Sequence, residues 1–260
     1  MQPLTVSFVQ AETYWHDPSA NREAFTLWLD AAPEDSQLVV LPEMFSTGFT
    51  MRAAEVAEPM TGPTVRWLQA QARERGKVIC GSLVIEEAGN HFNRFVWAAP
   101  DAIFTYDKRH CFRLVGEHEN YQAGQRRLVA NLGGWRLCPM ICYDLRFPVW
   151  FRNRGDYDVL LCVANWPAAR RMAWSSLLRA RAIENQSYVV GVNIVGTDGN
   201  DVTHCGDSAV YSPEGHTLIE AQGAKGTFTV TLDGEALSEY RARFPAWQDA
   251  DAFTLLDEQE

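Results

Sequence analysis

Three polar residues of this chain each stand directly behind a short apolar run: Glu43 after 38–42, Lys108 after 103–107 and Cys142 after 137–141. A carboxylate, an ammonium and a thiol brought together could move a proton, stabilise an oxyanion and attack a carbonyl carbon. Taken singly, each has an ordinary explanation: a solvated turn glutamate, a surface lysine in Asp-Lys-Arg-His, a small apolar cysteine. Cys142 stands apart because Tyr-Asp-Leu-Arg-Phe-Pro follows it, and Pro148 suits the first turn of a helix. A thiol at a strand-to-helix turn lies near backbone N–H donors, which can lower its pKa. Cys138, followed by Pro139, is the internal control and reads as a core residue.

For these side chains to converge, strands must deliver them to one edge. Residues 4–10 read as a strand, 19–31 as a helix bracketed by Pro-Ser and Pro33, and 37–41 as a short buried strand. A helix over 61–75 opens on Gly-Pro, puts Val65, Leu68 and Ala72 on one face and ends at Gly76. Strands over 77–85, 91–99 and 102–107 are close enough to pair antiparallel. The second half continues with a strand at 134–141, a short helix at 148–154, a buried strand at 158–164 and the longest helix at 170–186. Strands at 188–195, 208–211, 216–220 and 226–232 precede a last helix at 235–244. This alternation predicts an α/β fold of two stacked mixed sheets with helices outside, using residues 1–260 as one domain. Ligands of such sheets bind outside the carboxyl ends of strands, where all three residues stand. Residues 244–260, with Phe244, Trp247, Phe253 and Leu255, read as a tail that docks on its own body or on a neighbour.

Bulk properties narrow the function. A 260-residue chain that is 47% hydrophobic and 22% charged can bury a core without a metal or disulfide staple. Its net charge of −10 argues against nucleic acid, which is bound by neutralising phosphates. The six cysteines form no C-x-x-C pair and no zinc-site spacing, and most lie in apolar runs. No signal peptide or membrane-length apolar stretch is seen, so a cytoplasmic, reducing compartment is expected.

Leu-Pro-Glu-Met-Phe at 41–45, Tyr-Asp-Lys-Arg-His at 106–110 and Cys-Tyr-Asp-Leu-Arg-Phe-Pro at 142–148 resemble, in order, the three signatures of the nitrilase superfamily. Further similarity runs through 116–124 and 181–186. The resemblance implies a four-layer α-β-β-α sandwich and a Cys142-Glu43-Lys108 catalytic set, with no metal or organic cofactor. It also implies an additional buried glutamate at Glu117 and a homodimer paired through helices near the nucleophile, for which 170–186 is the candidate. In this scheme Glu43 takes the thiol proton, Cys142 forms a thioester, and Lys108 and the Tyr143 backbone N–H surround the oxyanion. Glu117 positions Lys108 or the water, or is a hydrogen-bonded structural carboxylate.

True nitrilases typically carry Trp-Glu after the nucleophile; Tyr143-Asp144 here favours an amidase. The nucleophile string and Asn165-Trp166-Pro167 look most like the ω-amidase branch, which hydrolyses short dicarboxylic monoamides such as 2-oxoglutaramate and 2-oxosuccinamate. An anionic substrate needs a cation, and Arg146 and Arg113 are the candidates; Arg146 has the alternative of a salt bridge to Asp144 or Glu184. Phe45, Tyr143 and Trp166 flank the motifs and would either wall the pocket or fill the core. The rival readings are another small-amide, carbamoyl or nitrile hydrolase, a Cys-His hydrolase using His110 or His118, a zinc hydrolase, and a non-catalytic binding protein.

Overall fold

The runs before Glu43 and Cys142 are apolar because they are covered on both faces, whereas the run before Lys108 is an antiparallel edge strand with Phe104 and Thr105 exposed. In the structure, a computed structural model that describes residues 1–255, Leu38 and Val40 of β2 (Leu38–Val40) enter one core while Val39 between them enters another. The first sheet holds β1 (Leu4–Gln10), β2, β3 (Val78–Glu87), β4 (Asn90–Ala98), β5 (Ile103–Asp107) and β14 (Gly226–Leu232), in the order β14-β1-β2-β3-β4-β5. Its β1, β2 and β3 are parallel and its other pairs antiparallel.

The second sheet repeats the plan. It holds β6 (Ala130–Leu132), β7 (Trp135–Ile141), β8 (Val159–Val163), β9 (Tyr188–Val192), β12 (Ala209–Tyr211) and β13 (Thr217–Glu220), in the order β13-β12-β9-β8-β7-β6. Here β7, β8 and β9 are parallel. A separate hairpin pairs β10 (Val195–Thr197) with β11 (Thr203–Cys205).

One continuous core joins Phe8, Cys80 and Trp97 of the first sheet to Leu160 and Cys162 of the second, and extends to Trp174, Leu178 and Ala182 of α5 (Arg171–Asn185). A second core lies between the first sheet and α1 (Pro18–Asp30) and α3 (Pro63–Arg75), through Phe25, Leu29, Val65 and Leu68. The layers therefore run helix, sheet, sheet, helix, the α-β-β-α sandwich expected from the sequence. The short α2 (Ala53–Val56) and α4 (Glu117–Asn120) lie in connections, and α6 (Gly234–Arg243) follows β14.

Two elements differ from the sequence reading. No helix forms over 148–154; a 3-10 turn over Cys142–Arg146 precedes a run of plain turns instead. The Asp144 carboxylate accepts the Ile141 N–H at 3.0 Å and starts that turn before Pro148 can start a helix. The strand expected over 188–195 stops at Val192, because the Asn193 side chain bonds Trp166 and Gly206. The chain then re-enters the β10–β11 hairpin. At the C-terminus, Gln186 Nε2 donates to the Phe244 carbonyl, and the Arg154 guanidinium covers the Phe253 ring. Residues 256–260 of the expected docking tail lie outside the described residues.

Candidate active site

Glu43 and Lys108 leave the carboxyl ends of β2 and β5, and Cys142 leaves that of β7 in the facing sheet. Glu43 is fully buried. Its Oε1 accepts hydrogen bonds from Lys108 Nζ (3.1 Å) and Asn93 Nδ2 (2.8 Å), and its Oε2 accepts one from the Asn165 backbone N–H (2.7 Å). Glu117, from α4, is equally buried. It accepts Lys108 Nζ at both oxygens (2.9 Å each), Asn93 Nδ2 at 3.4 Å, and the Phe112 backbone N–H. An ionised carboxylate offers about four acceptor positions. Those of Glu117 are all used, whereas Glu43 keeps one free on Oε2. By this geometry Glu43 can receive a proton, and Glu117 is committed to holding Lys108.

The electrostatics follow from burial and charge. Burial pushes the Glu117 carboxyl up, with Lys108 opposing and Glu43 assisting. Burial alone would lower the Lys108 ammonium, but the carboxylates of Glu117 and Glu43 outweigh it and hold the group well above its usual range. Lys108 is thereby fixed as a cation. Burial, then the Glu43 carboxylate, push the Cys142 thiol well above its ordinary value against the pull of Lys108. This reverses the sequence expectation of a lowered thiol pKa. The local turn is present, but the desolvation of a half-buried thiol and the nearby Glu43 carboxylate outweigh it. A thiol raised in this way holds its proton at neutral pH and would need a base before it could attack.

Cys142 adopts a left-handed backbone conformation, φ +48°, which costs a non-glycine residue roughly 1–2 kcal/mol. Asp144 holds the turn in place. Besides Ile141 N–H, it accepts the Tyr106 hydroxyl (2.7 Å), the His110 N–H (2.9 Å) and His110 Nδ1 (2.7 Å). The fully buried Asp144 thus ties the Cys142 turn of the second sheet to the Lys108 loop of the first. Gly124 closes the other side of that loop: its N–H donates to the Lys108 carbonyl at 2.9 Å. A Cβ there would lie 2.0 Å from the Asp107 carbonyl oxygen, so only glycine fits.

Cys142 and Lys108 line a cavity of about 500 Å³, within the range of small-molecule sites. Tyr143, Arg146 and Trp166 share its wall, as does His204, whose Nδ1 has no partner among the described residues. Arg146 stacks over Trp166 at 5.0 Å. The alternative salt bridges for Arg146 do not form, because Asp144 is bound to His110 and Glu184 pairs with Arg181. Phe45 is not in the wall. It packs edge-on against Phe25 (5.3 Å) and near Trp67 (5.9 Å) in the core beneath α1 and α3. Arg113 lies on a neighbouring depression with His110 and His118, so neither rival histidine base lines the cavity. Among the described residues, no three His, Cys, Asp or Glu side chains group as metal ligands.

Asn93 and Arg170 contribute to the site without having been singled out by sequence, and Asp144 and Asn165 were read only as parts of motifs, with no role in the site. Asn165 and Asp144 carried a signal, since one follows an apolar strand as Glu43 does and the other lies two residues after Cys142. Asn93 lies inside a strand, where its polarity blends with the alternation.

A family model described as carbon–nitrogen hydrolase matches residues 5–242. The chain is 44% identical to omega-amidase YafV of Escherichia coli K12, covering 98% of this chain and 100% of that one. It is 30% identical to a 2-oxoglutaramate amidase of Bacillus subtilis, covering 94% and 96% of the two chains. Its structure superposes with a TM-score of 0.96 on XC1258 from Xanthomonas campestris, a CN-hydrolase superfamily protein with an arsenic adduct in its active site. Those two chains are 48% identical and covered over 98% and 100%.

Proposed function

Because the chain belongs to the carbon–nitrogen hydrolase family and is an amidohydrolase, we propose that it hydrolyses the terminal amide of short dicarboxylic monoamides, of the 2-oxoglutaramate and 2-oxosuccinamate type. The observation that carries the mechanism is the free acceptor position on Glu43 beside a protonated Cys142 thiol, with Lys108 locked as a cation.

Glu43 takes the Cys142 proton as sulfur attacks the amide carbon, and the carbonyl oxygen gains the negative charge. Lys108 turns one N–H toward it, relaxing its double contact with Glu117 to a single one, and the Tyr143 N–H supplies a second donor. Glu43 returns the proton to nitrogen, the C–N bond breaks, and ammonia leaves a thioester on Cys142. Water then loses a proton to Glu43 and attacks the thioester; the C–S bond breaks, and sulfur recovers the proton. Glu117 is a positioning residue for Lys108. Tyr143, Trp166 and Arg146 contact the substrate. Arsenic is thiophilic, so the adduct in a 48% identical relative fits a thiol nucleophile.

Ammonia release from a panel of ω-amides, glutamine, asparagine, nitriles and carbamoyl compounds tests this reading. Highest kcat/KM on a dicarboxylic monoamide supports it; a nitrile or carbamoyl compound in first place rejects it. We place the enzyme in the cytoplasm, as all six cysteines are free thiols; no helix of the described residues is long and apolar enough to cross a membrane. Residues 1–260 form one catalytic domain in this reading, working as a homodimer through α5, whose Met172 is 82% exposed.

A further inference from the structure

Two arginines, Arg146 and Arg170, line the Cys142 cavity. The chain has 33 acidic residues against 23 basic ones, and neighbouring arginines are paired: Arg171 with Asp207 and Arg181 with Glu184. Among the described residues, neither Arg146 nor Arg170 has an ion pair. Each lies instead on an aromatic face, Arg146 over Trp166 at 5.0 Å and Arg170 over Phe112 at 5.2 Å. The two supports are connected, because Trp166 Nε1 donates to the Arg170 carbonyl at 2.9 Å. Stacking of this kind holds a guanidinium in place without using its N–H donors or cancelling its charge.

Lys108, the other cation of the cavity, is committed to two carboxylates. The acidic group in the wall, Asp198, accepts the Asn200 and Val202 N–H groups at one oxygen and shapes the turn of the β10–β11 hairpin. Against that one carboxylate the cavity wall sets two arginines without ion pairs, an excess of positive charge that belongs to Arg146 and Arg170.

We propose that Arg170, together with Arg146, grips the free carboxylate of the substrate, and that this pair sets the preference for anionic over neutral amides. The inference rests on the ω-amide reading above and adds to it the residue that selects the charged end. A planar guanidinium matches a carboxylate with two parallel hydrogen bonds. Two of them, stacked on different aromatic rings, would fix its position relative to Cys142 and hence which amides reach the thiol.

The test compares kcat/KM for succinamate with that for n-butyramide, in which a methyl replaces the carboxylate. It uses the wild-type enzyme, Arg170→Ala, Arg170→Lys, Arg146→Ala and the double Ala variant. The succinamate-to-butyramide ratio should fall at least tenfold in Arg170→Ala and further in the double variant, with part of it regained in Arg170→Lys. A ratio left unchanged in Arg170→Ala, with both substrates slowed in proportion, overturns the assignment and makes Arg170 a packing residue. A wild-type enzyme that hydrolyses butyramide but not succinamate overturns the ω-amide reading itself, which is a separate outcome.

Discussion

Glu43 and Asn165 bind each other twice across the two sheets: the Asn165 backbone N–H donates to Glu43 Oε2 at 2.7 Å, and Asn165 Nδ2 donates to the Glu43 carbonyl at 2.6 Å. Glu43 follows β2 of the first sheet and Asn165 follows β8 of the second. The carboxylate is thereby fixed at both its backbone and its head, and one acceptor position on Oε2 remains for a thiol proton. Orientation of this kind lets a carboxylate act as a base without reorganising.

Glu43→Gln should separate proton transfer from electrostatics. The Glu43 charge raises the Cys142 pKa, so its removal should shift the thiol downward and increase thiolate at a given pH. Turnover should nevertheless fall by about 10²–10⁴-fold, because the proton acceptor is gone. Alkylation of Cys142 by iodoacetamide across pH, followed by peptide mass spectrometry, reads the shift. A thiol moving upward in this variant contradicts the assignment.

Lys108→Met should lose kcat far more than substrate affinity, since its contact strengthens as the oxyanion forms. Loss of one such donor costs about 10²–10³-fold. The variant should also be less stable by about 3–5 kcal/mol, because Glu43 and Glu117 would face each other buried and without a cation. Steady-state kinetics and urea unfolding measure both. An unchanged kcat with a raised KM would make Lys108 a substrate anchor.

Asp144→Asn replaces an acceptor of four hydrogen bonds with a group that must donate at one end. Stability should fall by about 1.5–3 kcal/mol, and kcat should drop as the Cys142 turn loses its fixed conformation. Substrate KM should move little. Normal kcat in a folded variant would mean that the left-handed turn holds itself.

The protein should sediment as a dimer or larger at micromolar concentration, rather than as a single 29.3 kDa species. Exposed apolar residues on the outer helix, Met172 and Ile183, and in the tail, Phe244 and Trp247, supply the surface for it. Met172→Glu should weaken the association. A monomer at all concentrations refutes pairing through this face.

How much of this was legible in the sequence depends on whether a residue's role is local. Position after an apolar strand pointed to Glu43 and Cys142, because a parallel strand buried on both faces ends where ligands bind; Lys108 also follows a strand, but the antiparallel edge strand β5, to which that argument does not extend. The same local logic misjudged Cys142, since nearby N–H donors are visible in sequence and the burial and facing carboxylate that dominate its pKa are not. Pro148 suggested a helix, but a side chain earlier in the chain, Asp144, captured the Ile141 N–H and set a tighter turn. Phe45 follows a motif closely, yet it points into the outer core. Arg170 looked like the first turn of a long helix; only the folded chain brings it to the same cavity as Arg146.

The central claim is that Cys142 carries the acyl group, and trapping that intermediate tests it most directly. The enzyme turning over an ω-amide in the presence of hydroxylamine should yield the hydroxamate. Acid quenching during turnover should leave an acyl adduct, of the substrate's mass less ammonia, that maps to the peptide containing Cys142. Cys142→Ala should remain folded and show neither product nor adduct. An adduct on Cys111 or Cys138 instead, or turnover retained in Cys142→Ala, would contradict the account.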